Sequence, residues 1–231
     1  MTGEIKAVLF DKDGTLVDFQ ATWWPWSVEA AHLVADETGH AVEEIARSFG
    51  LDLAGARFEP HSPLIAGTPE EVVPVLATYY PDLEPKEIIA RVTPPEGVVV
   101  PVPVEGLERC LDGLRAAGIR LGVVTNDFAA QTEVQLAEMG IASAFDVVIG
   151  YDSGHGAKPA PDGCLAAARA LGARPEDTVM VGDTLHDLHA ARAAGMVSVG
   201  VLTGIAGREN LTPHADTVMP SIAGLPAWLV L

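Results

Sequence analysis

Positive charge is scarce in this sequence. Its 231 residues carry 14 Lys and Arg against 32 Asp and Glu, a formal net charge of −18 at neutral pH. A surface of that sign repels nucleic acid and anionic membranes, so neither is expected as a partner. It also repels phosphorylated metabolites at long range, so a phosphate site here must work through local cations. Lys6, Lys12, Lys86 and Lys158 are the only lysines, and each therefore asks for a reason. Cysteine is as rare. Cys110 and Cys164 are too few and too far apart for a disulfide framework or a zinc cluster, and they point to a reducing, cytoplasmic setting. No apolar run reaches membrane-spanning length, and no secretory leader is expected at the N-terminus. Apolar residues are plentiful at 48%, ample for the core of one large domain or two modest ones.

The apolar runs alternate with helical stretches in a regular way. Ile5 to Phe10 reads as a buried parallel strand. From about Glu105 onward, strands at 119–124, 145–149, 178–181 and 197–202 alternate with helices that stop at Gly118, Gly140, Gly172 and Gly195. This alternation predicts an α/β fold with a doubly wound parallel sheet. The first strand is separated from the rest by residues 20–97, which read as mostly helical. Trp23, Trp24 and Trp26 open this stretch, with Pro25 placed in a first helical turn. The predicted layout is a core of residues 1–18 and 99–231 with a helical cap, residues 19–98, inserted after the first strand.

The polar clusters fall just after predicted strands, and ligands of open parallel sheets bind outside the carboxyl ends of the strands. In Asp11-Lys12-Asp13-Gly14-Thr15, two carboxylates two residues apart face one crevice. One can attack while the other moves a proton, and the Gly14 turn lets backbone amides approach a phosphate. Thr125 and Asn126 end another strand where a helix begins, a place that suits a phosphate as well as simple N-capping. Lys158 sits in a loop fixed by glycines and prolines and can offset aspartates and hold a phosphate. Asp183 and Asp187 stand four apart across a strand-to-helix turn. Capping explains one such acid but not two beside another pair, and with Asp11 they form an acidic nest suited to Mg2+.

These four motifs, in this order, resemble those of the haloacid dehalogenase superfamily, and the insertion resembles the cap of its phosphoglycolate phosphatase-like branch. The resemblance implies a Rossmann-like core and a Mg2+-dependent phosphatase acting on a small phosphorylated metabolite. Asp11 would attack phosphorus to form an aspartyl-phosphate. Asp13 would protonate the leaving oxygen and then activate water. Thr125, the Asn126 amide and Lys158 would hold the transferring group. Asp11, the Asp13 carbonyl and Asp183 would bind the metal, with Asp187 acting directly or through water. Asp13 separates phosphatases from dehalogenases of the same fold, whereas a phosphomutase keeps it and stays an alternative. A phosphorylatable switch or non-catalytic phosphate-binding module is the alternative of another class. Lys12 departs from the apolar residue frequent at its place and receives no role. In the cap, Arg57 and His61 lie in a Pro-containing loop and are the candidates for substrate choice. Nothing in the sequence fixes the oligomeric state.

Overall fold

The computed structural model describes residues 4–65, 68–95 and 97–229. The chain divides into two compact units, Met1–Phe19 with Pro101–Leu231, and Gln20–Val100. It starts in β1 (Ala7–Phe10). It then passes through α1 (Phe19–Thr38), α2 (Val42–Ser48), β2 (Leu51–Asp52), β3 (Arg57–Phe58), α3 (Pro69–Leu76) and α4 (Pro85–Val92). The remainder is α5 (Leu107–Ala116), β4 (Arg120–Val124), α6 (Ala129–Glu138), β5 (Val147–Ile149), α7 (Asp162–Ala170), β6 (Thr178–Gly182), α8 (Leu185–Ala194), β7 (Val197–Val201), α9 (Arg208–Leu211), β8 (Thr217–Met219) and α10 (Leu225–Trp228).

Six parallel strands form the sheet of the first unit, in the order β5-β4-β1-β6-β7-β8. This is the α/β doubly wound architecture expected, with one strand, β8, that the sequence pattern did not reveal. β1 lies in the interior of the sheet and is covered on both faces, which is why all four of its residues are apolar. Its alternate side chains feed separate cores. Val8 and Phe10 pack with Leu107, Leu111 and Leu114 of α5 and Leu225 of α10. Ala7 and Leu9 pack with Cys164, Ala167 and Ala168 of α7 and Ala190, Ala191 and Ala194 of α8. The small residues on the second layer let α7 and α8 lie close to the strands. Cys110 and Cys164 are buried and unbridged.

The second unit corrects two expectations. α1 continues past Pro25, which lies inside the helix and not in its first turn. The segment is mostly helical, with one short antiparallel hairpin of β2 and β3 within it. Arg57 belongs to β3 and not to a loop. The hairpin is held locally: Asp52 accepts from the Gly55 N–H at 2.9 Å and from Arg57 Nε at 3.0 Å. Strands this short carry little periodic signal, so the alternation on which the sequence reading relied is absent here. No helix among the described residues is long and apolar enough to cross a membrane.

Leu121 is fully buried in β4. Leu121→Ala is expected to destabilise the protein by about 2–5 kcal/mol, the usual range for truncating a core leucine. Urea denaturation would measure it, and a loss under about 1 kcal/mol would show that the layer can collapse into the space.

Candidate active site

Strand register gathers the site. Phe10 is level with Val123 of β4 and Val181 of β6. Asp11 therefore emerges beside Val124 and Gly182, and Thr125, Asn126 and Asp183 follow within a residue or two. Parallel strands that end together place their first polar residues at one edge.

Asp11, Asp183 and Asp187 are all buried, and each offers an oxygen within 4.8 Å of the others. Lys158 reaches in from the loop between β5 and α7. Its ammonium donates to Asp11 Oδ1 at 2.6 Å, to Asp187 Oδ1 at 2.6 Å and to the Val124 carbonyl at 2.8 Å. Three N–H groups thus meet three acceptors. The Lys158 backbone is clamped by Asn126: its N–H donates to Asn126 Oδ1 at 2.8 Å, and its carbonyl accepts from Asn126 Nδ2 at 3.0 Å. The Asn126 side chain thereby braces the lysine, and what it can give a phosphate is its backbone N–H. Thr125 Oγ1 accepts from the Asp127 N–H at 3.1 Å, which keeps its own O–H as a donor.

Asp187 does two things at once. In the first turn of α8 its Oδ2 accepts from the Thr184 N–H at 3.0 Å and hydroxyl at 2.7 Å, a capping box, while Oδ1 takes Lys158. Asp183 is different: its Oδ1 is buried and has no hydrogen-bond partner among the described residues.

The electrostatics follow from this crowding. Burial pushes Asp11 up to about 7 against the pull of Lys158, and Asp187 and Asp13 push the same way. Burial, then Asp11 and Asp187, raise Asp183 well above the ordinary carboxylate range. The lysine is the reverse: burial disfavours its charge, yet Asp11 and Asp187 outweigh burial and hold it charged. A nest of hard oxygens, one of them unpartnered and two strongly reluctant to ionise, is a donor set that fits a divalent cation such as Mg2+.

Two glycines allow the approach. Gly14 has φ +82°, and a Cβ there would lie 2.4 Å from Asp183 Oδ2. At Gly204, in the loop after β7, a Cβ would lie 1.7 Å from the same oxygen. Thr203 Oγ1 donates to the Gly14 carbonyl at 2.6 Å and ties that loop to the one bearing Asp13. The sequence reading overlooked Gly204, for lack of any motif around it.

Lys12 received no role from the sequence. It is fully buried, with Nζ 3.2 Å from Asp13 Oδ2 and donating to Asp127 Oδ2 at 2.6 Å and to Gln135 Oε1. Asp13 itself is part-exposed at the same edge. Arg57 and His61 belong to the second unit. Arg57 is exposed and pairs with Asp52 at 3.0 Å and Glu59 at 3.9 Å, and His61 is exposed.

A model of the haloacid dehalogenase-like hydrolases matches residues 5–195. The chain belongs to that family. It is 34% identical over 225 residues to a Xylella fastidiosa protein named phosphoglycolate phosphatase, covering 93% of this chain and 88% of the relative. It is 27% identical over 216 residues to the pyrophosphatase PpaX of Bacillus velezensis, covering 93% and 91%. A solved HAD phosphatase of Thermococcus onnurineus superposes with a TM-score of 0.70 at 26% identity, covering 97% of this chain and 98% of that one. Family and relatives together make this hydrolase a phosphatase, and the relatives differ in the substrates for which they are named.

Gly204→Ala is expected to push the Asp183 carboxylate out of place. Supporting residues around a metal site typically contribute about 10- to 100-fold in affinity, and a loss of that size is expected here. Mg2+ titration followed by calorimetry or by the shift in melting temperature would show it. Unchanged affinity would mean that the loop yields and that Gly204 is no support.

Proposed function

We propose that this phosphatase hydrolyses the phosphomonoester of a small metabolite, phosphoglycolate-like or a sugar phosphate, through an aspartyl-phosphate on Asp11, with Mg2+ as cofactor. The observation that carries the reading is the arrangement around Lys158. One ammonium binds the nucleophile and the Asp187 carboxylate together, while an unpartnered oxygen of Asp183 stands in the same nest.

Asp11, the Asp13 carbonyl and Asp183 would hold the metal, with Asp187 contributing directly or through water. Bound there, Mg2+ would neutralise charge on the carboxylates and on the transferring phosphoryl group. The remaining work falls to the chain. An Asp11 oxygen attacks phosphorus in line with the leaving oxygen. Asp13 gives that oxygen a proton, then takes one from the water that cleaves the aspartyl-phosphate. The Thr125 O–H, the Asn126 N–H and Lys158 bind the phosphoryl oxygens as charge develops on them. Lys158 also opposes the rise that burial imposes on Asp11, favouring its ionised, nucleophilic form. The reading includes the cytoplasm as the place of action, in keeping with two buried, unbridged cysteines.

The test is phosphate release from a panel of metabolite esters, phosphoglycolate included, with Mg2+ and with excess chelator. Turnover is expected only with the metal. Asp11→Asn, nearly isosteric but unable to form the acyl-phosphate, should lower kcat on the order of a thousandfold or more while leaving the fold intact. Near-normal turnover in chelator would refute the cofactor, and near-normal turnover of the variant would refute the nucleophile.

We further propose that substrate choice lies in the second unit, because every residue assigned to the chemistry lies in the first. Arg57→Ala and His61→Ala should then reorder kcat/KM across the panel and change hydrolysis of p-nitrophenyl phosphate little. An unchanged ranking removes both residues from substrate recognition. For Arg57 it would leave its ion pairs with Asp52 and Glu59.

A further inference from the structure

Lys12 has no part in the chemistry proposed above, yet among the described residues it is the most completely buried lysine, with no exposed surface. An ammonium is not buried without compensation. Its compensation comes from three directions: Asp13 Oδ2 at 3.2 Å on its own loop, Asp127 Oδ2 at 2.6 Å after β4, and Gln135 Oε1 on α6. Three acceptors for three N–H groups fix the position of Nζ.

The Asp127 end of this brace is itself rigid. Its Oδ1 accepts from the Phe128 N–H at 2.7 Å, its N–H donates to Thr125 Oγ1 at 3.1 Å, and its carbonyl accepts from the Tyr151 N–H at 3.1 Å. Asp13 keeps 19% of its side chain exposed, whereas the lysine that touches it has none. A lysine serving only to fill and neutralise a core would not need to end against a part-exposed carboxylate on the loop that follows β1.

We propose that Lys12 is a positioning residue for Asp13. It holds Oδ2, so that Oδ1 exchanges the proton with the leaving oxygen and with water, and through Asp127 it keeps that carboxyl in register with Thr125. The proposal rests on the phosphatase reading. In the first half-reaction the Asp11–phosphorus bond forms, the ester P–O bond breaks, and the Asp13 proton passes to the departing oxygen. In the second, the water oxygen bonds to phosphorus, its proton goes to Asp13, and the Asp11–phosphorus bond breaks. A misplaced Asp13 hurts the first half-reaction in proportion to how badly the leaving group needs a proton. An alkoxide needs it greatly and p-nitrophenolate hardly at all.

The experiment compares rapid-quench phosphorylation by glycerol phosphate with the burst of p-nitrophenolate from p-nitrophenyl phosphate, both with Mg2+. General acid catalysis is worth about a hundredfold to ten-thousandfold, and loss of positioning should remove about tenfold or more of it. Lys12→Met should therefore slow the alkyl ester by that factor, with KM little changed and the p-nitrophenolate burst nearly unaffected. Gln135→Leu removes one anchor but keeps Lys12 and both carboxylates. It should show the same split at smaller size, and it decides the matter alone if Lys12→Met does not fold. Equal losses on both esters, or no loss on either, would overturn the proposal. Asp13→Asn is the control and should show the largest split. If Asp13→Asn shows a split and the Lys12 and Gln135 variants do not, only the positioning role falls. If Asp13→Asn shows none, the assignment of Asp13 as the acid falls and this proposal with it.

Discussion

The first unit depends on a repulsion that, among the described residues, one cation offsets directly. Asp11, Asp183 and Asp187 bring carboxylate oxygens within 4.8 Å of one another in a buried place. Like charges at that spacing oppose each other, and burial removes the water that would screen them. Lys158 bonds two of the three at 2.6 Å and leaves Asp183 with a buried oxygen of no partner among the described residues. The strain falls on Asp11 and Asp183, both raised far above ordinary carboxylates. Such a nest is a poor way to stabilise a fold and a good way to hold a cation and a phosphoryl group.

The sheet is arranged around that nest. β1 must lie between β4 and β6 if Asp11 is to meet Thr125 on one side and Asp183 on the other, and the strand order provides this. An interior parallel strand has no wet face, so its polar residues wait until the strand ends. That is why Ala7–Phe10 is wholly apolar and the next residue is a carboxylate. The loops after β1 and β7 then close over Asp183. Their backbones come so near that a single methyl group at Gly14 or Gly204 would collide with it.

Much of this was legible in the sequence because it obeys two periodic rules. Alternating strands and helices with glycine stops pointed to the class of fold, and polar residues after strand ends pointed to Asp11, Asp13, Thr125, Asn126, Lys158, Asp183 and Asp187, of which Asp11, Asp183, Asp187 and Lys158 meet in one buried cluster. What escaped had no period. β8, β2 and β3 are too short to alternate over more than a step or two, and Pro25 sits in a helix whose neighbours override its local preference. Lys12 escaped for a different reason. It received no role because its two distant partners lie more than a hundred residues away and leave no local mark. The four-carbon stem, however, is long enough to reach Asp127 and Gln135 and still end against Asp13. Gly204 escaped because a close approach from a loop so distant in sequence leaves no local mark.

The net charge of −18 suggests a molecule hostile to phosphate, but charge at the surface and charge in the site act over different ranges. Exposed carboxylates are screened over roughly 8 Å at physiological ionic strength. The groups of the site are screened far less, and they form two clusters. Asp11, Asp183 and Asp187 surround or adjoin the buried Lys158, and the part-exposed Asp13 and Asp127 meet the buried Lys12. Five carboxylates thus face two ammoniums, a deficit of three positive charges. Under the proposed reading a divalent cation supplies two and the proton carried by Asp13 supplies the third, which is the state in which the site is poised to protonate a leaving group. In the first half-reaction Asp13 gains a negative charge as Asp11 gives up its own to the acyl-phosphate, and the second half-reaction reverses both, so the site keeps its charge through the cycle. Two of the four lysines of the chain are used for this, and both are buried where no surface charge can replace them.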